Sequence, residues 1–470
     1  MSNIKEKYKK LGKNTLWMMI GNFASKLLSF FLVPLYTAYL STADYGVSDL
    51  MTTTVSLLSP FLTLAASEGI LRFTLDKSND RKQVFTLALT VSGVGYVILL
   101  VVSPILKNHS SFENYYSLFL IYYLFNNLLW ILQQFVKGID HVPHYAASGV
   151  ISTLSSVTSN ILLLAIFKFG VRGYLYSQII ACLMPVIYIF SVEKLYRYII
   201  RPTEISGQLI KRYFAYCLPL IPNQISWWIN NSSDKYILNF YHGLSLTGIY
   251  SVAYKIPTIL TVIGGIFASS WQISAVEDFG SEESKHFFSS VFQRYFSLFA
   301  VATTLILCFI KLLAKFLFSN DFYNAWPYAS ILLLASFVQA MGQFYETIYV
   351  CAMKPKMLLA TTMIAAGVNT VLNFVLIPSF GAYGASMATL IGYLAMFLVR
   401  AVDTRRIFQF KIYYFKIFMV ISLLVAQTMF LCSNIKYWVI IETLIAILVC
   451  AINRNVFRDL IMVLNSVKKK

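Results

Sequence analysis

Four charged side chains stand where an apolar chain should hold none. Lys26 and Lys255 interrupt long apolar runs, and Asp234 and Glu346 interrupt two others. A lysine so placed can hold an anion, and an acid can carry a coupling proton or monovalent cation through an apolar interior. Lys26 lies about twelve residues into its run, roughly 18 Å deep at 1.5 Å per residue. That is beyond the reach of a snorkelling stem, and inserting a lysine at depth costs about 2.5–3.5 kcal/mol. Lys255 sits beside Pro257, where a kink is expected. Glu68 and Arg72, four apart with the acid first, read equally as an intrahelical clasp or as a binding pair, and Glu68 joins Glu346 and Asp234 as a candidate for carrying the coupling ion. Asp234 is followed directly by Lys235 near the outer end of its run, so an interfacial pair competes with a site there. Lys416 is close to an edge and is expected to snorkel.

Uncharged polar residues surround these charges at helical spacing. Asn223, Trp227, Asn230 or Asn231, and Asp234 share one face; Asn126, Trp130, Gln133 and Lys137 share another. Gln339, Gln343 and Glu346 form a third, and Asn369 with Asn373 a fourth. Spacings of three and four place such residues in line, with Leu, Ile, Phe and Val opposite. Hydrogen bonding between helices accounts for any one stripe; several stripes in both halves of the chain point to a shared hydrated cavity. Its lining is basic near the middle and polar around that. Such a lining suits an anionic group bearing many hydroxyls, because Asn and Gln both donate and accept. Trp227, Trp228 and Trp271 offer flat faces for sugar rings.

The elements that must position these residues are membrane helices. The 470 residues are 58% hydrophobic and only 12% charged, about half the charge of a soluble domain. The apolar residues fall in fourteen blocks of about span length, at 14–36, 46–71, 83–106, 114–136, 145–167, 173–192, 213–233, 244–273, 288–310, 325–350, 357–378, 382–399, 412–432 and 437–453. The expected fold is an all-α polytopic membrane protein. The first block is longer than a signal-peptide core and no cleavage site follows it, so it is expected to remain as a span.

If the N-terminus is cytoplasmic, 28 of the 38 Lys and Arg fall on the inner side, seven on the outer side and three within spans. That bias supports fourteen spans with both termini inside. The net charge of +18 is then a positive-inside signature and asks for no nucleic-acid partner. No loop exceeds about twenty residues, which excludes an enzyme with a large extramembrane domain. The six cysteines stand singly, and Pro143 separates His141 from His144, so neither a metal site nor a cofactor is expected.

Two segments recur. Residues 39–67 compare with 241–269 at an offset of 202, pairing Tyr39 with Tyr241 and Gly46 with Gly248. FGVRG at 169–173 compares with FGAYG at 380–384 at an offset of 211. Two matches in the same order argue for two pseudo-symmetric six-helix bundles, 1–200 and 201–406, around a central cavity. Residues 407–470 then form two additional helices and a basic tail.

DKYILNFYHGLSLTGIYSVAYKIP (234–257), IPSFGAYGASMATLIGY (377–393), GILRF (69–73) and LGKNTLWMMIGNFASKLLSFFLVPLY (11–36) resemble segments of the Wzx-type polysaccharide repeat-unit flippases. The resemblance covers nearly the whole chain. It implies the fold of the multidrug/oligosaccharidyl-lipid/polysaccharide exporter superfamily. It also implies translocation of an undecaprenyl-diphosphate-linked oligosaccharide from the cytoplasmic to the outer leaflet of a bacterial inner membrane, for capsule, O-antigen or another envelope polysaccharide. A polymerase and chain-length machinery are implied partners. Family members use cations in the central cavity, and Lys26, Arg72, Lys137 and Lys255 match these in kind. Three alternatives remain: a multidrug and toxin extrusion-type cation antiporter, which would want an acidic cavity; a relative that flips the peptidoglycan precursor; and a membrane polysaccharide polymerase, which would need a larger outer loop.

Overall fold

The computed structural model describes residues 30–108, 111–279, 282–433, 438–456 and 458. Those residues are helical throughout their apolar blocks, with no strand among them. Lipid leaves backbone polar groups no other partner, so each span must satisfy its own N–H and C=O groups. The helices are α1 (Val33–Tyr39), α2 (Thr42–Leu62), α3 (Ala66–Leu75), α4 (Arg81–Asn108), α5 (Tyr116–Gly138), α6 (Val142–Asn160), α7 (Gly170–Val192) and α8 (Gly207–Cys217). They continue as α9 (Ile221–Ala253), α10 (Thr258–Asp278), α11 (Glu282–Cys308), α12 (Ile310–Leu317), α13 (Trp326–Cys351), α14 (Pro355–Asp403), α15 (Tyr414–Cys432) and α16 (Trp438–Ile452).

Glycine decides how these helices map onto spans. Gly243 (φ 80°, ψ 178°) breaks α9, and Gly381 (φ 53°, ψ −130°) breaks α14. At Gly381 the chain reverses. A Cβ on Gly384 would fall 2.5 Å from the Leu376 carbonyl oxygen, and one on Gly392 would fall 3.0 Å from Asn369 Cβ. Further out, Arg400 Nε donates to Thr361 Oγ1 at 3.0 Å. Partners that separate evenly on both sides of residues 380–381 define an antiparallel helical hairpin. With these two breaks, thirteen of the fourteen sequence blocks correspond to described helices; most of the first lies outside the described residues. The apolar, span-length helices establish a multi-pass membrane protein.

The sequence repeat has a physical basis. Gly170 (φ 57°) turns the chain between α6 and α7 as Gly381 does within α14, in a left-handed conformation that glycine adopts without Cβ strain. A Cβ on Gly173 would lie 2.9 Å from the Leu163 carbonyl oxygen, the counterpart of Gly384 against Leu376. The other repeat aligns Ser41 with Gly243. Ser41 is extended (ψ 160°) and its Oγ accepts from Asp44 N, capping α2, so both positions interrupt one helix and begin the next.

The chain forms two compact units, Met1–Trp228 and Ile229–Lys470. The core of the first gathers α3, α4, α5, α7 and α8 around Phe85, Phe135 and Tyr213; the Tyr213 hydroxyl donates to the Ala66 carbonyl at 2.8 Å. The core of the second is aromatic. Phe344 lies 5.1 Å from Trp271, 5.0 Å from Phe292 and 6.1 Å from Phe410, centroid to centroid.

Candidate functional site

The second unit brings polar residues of α9 and α14 together around one carboxylate. Asp234, 1% exposed, accepts through Oδ2 from the hydroxyls of Tyr250 (2.6 Å) and Tyr254 (2.8 Å), and from Thr389 Oγ1 at 3.4 Å. Its Oδ1 accepts from the Lys235 backbone N–H at 2.9 Å. The Lys235 ammonium lies 5.4 Å from the Tyr254 ring centroid. Donors converging on a buried carboxylate offset its loss of water. Around them Asn369 Nδ2 donates to Thr389 Oγ1 at 3.4 Å, and Asn373 Nδ2 donates to Asn369 Oδ1 at 2.9 Å. The buried Asn373 Oδ1 has no hydrogen-bond partner among the described residues. Asn230 Nδ2 donates to the Thr362 carbonyl at 3.2 Å, and the Tyr393 hydroxyl donates to Asn231 Oδ1 at 2.8 Å. The cluster is rich in oxygen acceptors and can exchange a proton or hold a small cation.

A second polar feature lies on α13. From Ala329 to Tyr349 only Ser336, Gln339, Gln343 and Glu346 are partly exposed, and every other residue is buried. Their spacing of three, four and three makes them one face. A face open to lipid would expose Leu or Phe; this one exposes two amides, a hydroxyl and a carboxylate, so it meets water or a polar solute. Beside it, Arg400 is fully buried and donates to Glu346 Oε2 at 3.0 Å, the Gly342 carbonyl at 3.1 Å and Thr362 Oγ1 at 3.2 Å.

The sequence-derived residues divide accordingly. Gln339, Gln343 and Glu346 stand on the open face, whereas Asn369 and Asn373 are buried within the α14 hairpin. Asn223 and Trp227 are half-buried on α9, and Lys255 is half-buried in the turn between α9 and α10. Trp228 Nε1 donates to the Thr53 carbonyl at 2.9 Å. Trp271 is packed into the aromatic core rather than offered to a solute. In the first unit, Gln133 Nε2 donates to Ser148 Oγ at 3.0 Å, and Asn126 Nδ2 lies 3.8 Å from Cys182 Sγ. These are contacts between helices. Lys137 rests 6.0 Å from the Tyr145 ring centroid. Glu68 and Arg72 are both exposed on α3. Lys26 lies outside the described residues.

Sequence reasoning missed Arg400, Tyr250, Tyr254, Thr389 and Tyr393. Arg400 follows directly on the apolar block 382–399, and the hairpin places it opposite Thr361 and Thr362. The usable signal was the FGAYG turn, which fixes that register. The tyrosines carry no comparable signal, since a tyrosine ring suits apolar packing equally well.

Known structures share this architecture. The lipid II flippase MurJ in an inward closed conformation matches over 95% of this chain and 99% of that one, with a TM-score of 0.71 at 17% identity. An inward-facing multidrug resistance MATE family transporter of the MOP superfamily matches over 86% and 96%, with a TM-score of 0.66 at 13% identity. A MOP superfamily transporter from Pyrococcus furiosus matches over 84% and 95%, with a TM-score of 0.55 at 13% identity. At these identities the likeness establishes the fold. No curated protein sequence matches the chain. The sequence model of the polysaccharide biosynthesis proteins matches residues 11–276; the match spans more than half of the chain, which belongs to that family.

Proposed function

We propose that the chain is a flippase that moves undecaprenyl-diphosphate-linked oligosaccharide repeat units from the cytoplasmic to the outer leaflet of a bacterial inner membrane, with both termini cytoplasmic. The product would feed capsule, O-antigen or another envelope polysaccharide through a polymerase and chain-length machinery. The observation that carries this reading is the α13 face: Ser336, Gln339, Gln343 and Glu346 are the partly exposed residues of the stretch from Ala329 to Tyr349, whose other residues are buried. Amides of this kind pair with the hydroxyls of a sugar chain. Membership in a polysaccharide biosynthesis family is consistent with such a cargo.

In this mechanism the cytoplasm-facing form takes the diphosphate on Lys26, helped by Arg72, Lys137 and Lys255. Asn223, Trp227 and the α13 amides receive the sugars, and the lipid tail stays in the bilayer. An inside-negative potential contributes about 2.3 kcal/mol per charge per 100 mV and favours outward movement of an anion. Asp234 is the coupling residue, exchanging a proton or cation among the hydroxyls of Tyr250, Tyr254 and Thr389. Glu346 serves the cargo face and is held in place by Arg400. The chain performs no bond chemistry on its cargo.

The test uses purified protein in liposomes carrying a labelled undecaprenyl-diphosphate oligosaccharide and follows access of a membrane-impermeant reagent to label that began in the inner leaflet. Protein-dependent exposure that Lys26→Ala abolishes while the variant stays folded is the expected result. Absence of exposure under an imposed potential or cation gradient, with gradient-driven efflux of an organic cation instead, would overturn the reading in favour of a drug antiporter.

A further inference from the structure

Five cations of the second unit converge where three helices end. Lys285 lies in the first turn of α11, Lys411 lies just before α15, and Arg458 lies beyond the end of α16. Lys285 and Lys411 line a cavity of about 610 Å³. Arg294, Lys416 and Arg458 line an adjoining cavity of about 280 Å³. Ser290 and Gln293 line both, so the two cavities adjoin across a shared wall and are taken together as one cleft. Among the described residues that line the two cavities there is no Asp or Glu.

The cleft is built rather than incidental. Ser289 Oγ donates to the Lys411 carbonyl at 2.6 Å, tying the segment before α15 to α11. Gln293 Nε2 donates to that Ser289 Oγ at 3.3 Å, and Lys416 Nζ donates to Ser297 Oγ at 3.0 Å. The start of α11, the start of α15 and the end of α16 must share one membrane surface to line one cleft. Tyr413 also lines it, and tyrosine is enriched at headgroup level. Cations, hydroxyls and the amides of Gln293, Gln409 and Asn455 in a concave site at that depth fit a phosphate group carried on a lipid. The larger cavity is of a size usual for small-ligand sites.

We propose that this cleft binds the phosphate headgroup of an anionic membrane lipid, using none of the residues assigned above to cargo or coupling. Two lipids offer that chemistry, an anionic phospholipid and a polyprenyl diphosphate.

The experiment measures equilibrium lipid binding to the full-length protein in neutral detergent by native mass spectrometry, using phosphatidylglycerol, undecaprenyl diphosphate and phosphatidylcholine. Phosphatidylglycerol or undecaprenyl diphosphate is expected to be retained over phosphatidylcholine. Combining Lys285→Gln, Arg294→Gln and Lys411→Gln should lower that affinity about 100-fold, roughly fivefold for each charge near the membrane surface. Exchanging the same residues between Lys and Arg should retain binding. Ser290→Trp fills the shared wall without removing a charge and should also weaken binding, which keeps the test open should the triple variant fail to fold. Preference for phosphatidylglycerol identifies a phospholipid site, and displacement by undecaprenyl diphosphate identifies a site for the carrier lipid. Equal retention of phosphatidylcholine, or unchanged affinity in both the triple variant and Ser290→Trp, would overturn the proposal. Because no transport is read, failure of flipping leaves this result standing, and the reverse also holds.

Discussion

α5 and α13 carry the same signature in sequence and put it to opposite uses. Each has polar residues at three- and four-residue spacing on an apolar background. On α5 the exposed side chains beyond Ser117 in its first turn are apolar or aromatic, Ile121, Leu124 and Trp130, and its polar Asn126, Gln133 and Lys137 are partly exposed beside them. Its Gln133 turns inward to Ser148 on α6. On the buried stretch of α13 the partly exposed side chains are the polar ones. Interhelical attachment and solute lining therefore cannot be told apart by periodicity. What separates them is whether the remaining surface of the helix is apolar and exposed, as lipid requires, or already covered by neighbouring helices.

The largest expected effect tests what supports the α13 face. Arg400→Ala leaves the Gly342 carbonyl, Thr361 and Thr362 without their donor and opens a cavity at a fully buried side chain, and should destabilise the protein by about 2–4 kcal/mol, read as a lower unfolding midpoint in detergent. A loss under 1 kcal/mol would mean that Arg400 does not anchor this face. Next, Asp234→Ala strands the hydroxyls of Tyr250 and Tyr254 and should cost about 1–3 kcal/mol. Asp234→Asn keeps an acceptor in place, so it should fold nearly as well while losing gradient dependence in the liposome assay. Equal gradient dependence in Asp234→Asn and the parent would remove Asp234 from coupling.

Smaller effects compare the two stripes directly. Gln133→Leu removes a contact between helices and should cost about 0.6 kcal/mol of stability, with transport unchanged. Gln343→Leu should do the reverse, slowing transport at unchanged stability. The same outcome for both substitutions would erase the distinction between α5 and α13. The smallest difference to be read is the one between the two turn glycines. A Cβ at Gly381 would meet Leu246 Cδ2 at 3.2 Å, whereas one at Gly170 meets nothing within 4 Å. Both alanine variants carry left-handed strain of about 1–2 kcal/mol, and Gly381→Ala should show the larger drop in unfolding midpoint.

Much of the fold was legible because lipid simplifies the code. Long apolar blocks must be helices, and FGVRG and FGAYG mark reversals that only a few residues can make. The site was legible only in part. Gln339, Gln343 and Glu346 were found as a stripe, and their accessible placement followed only once neighbouring helices covered the rest of α13. Asn369 and Asn373 carried the same signal yet point into the hairpin, where Thr389 supplies a partner. Asp234 was visible as a charge; its tyrosine donors were not, because Tyr250 and Tyr254 lie 16 and 20 residues further along the chain. Trp271 shows the converse error. An aromatic ring that could stack on sugar fits equally well among phenylalanines.

The turn at Gly381 also bears on how the chain keeps a charge among apolar helices. With the reversal confined to residues around 380–381, no hydrophilic loop separates the two helices of α14. A turn this tight keeps the two helices of α14 side by side wherever they lie, so Arg400 has Thr361 and Thr362 as built-in partners for a charge that lipid alone would reject.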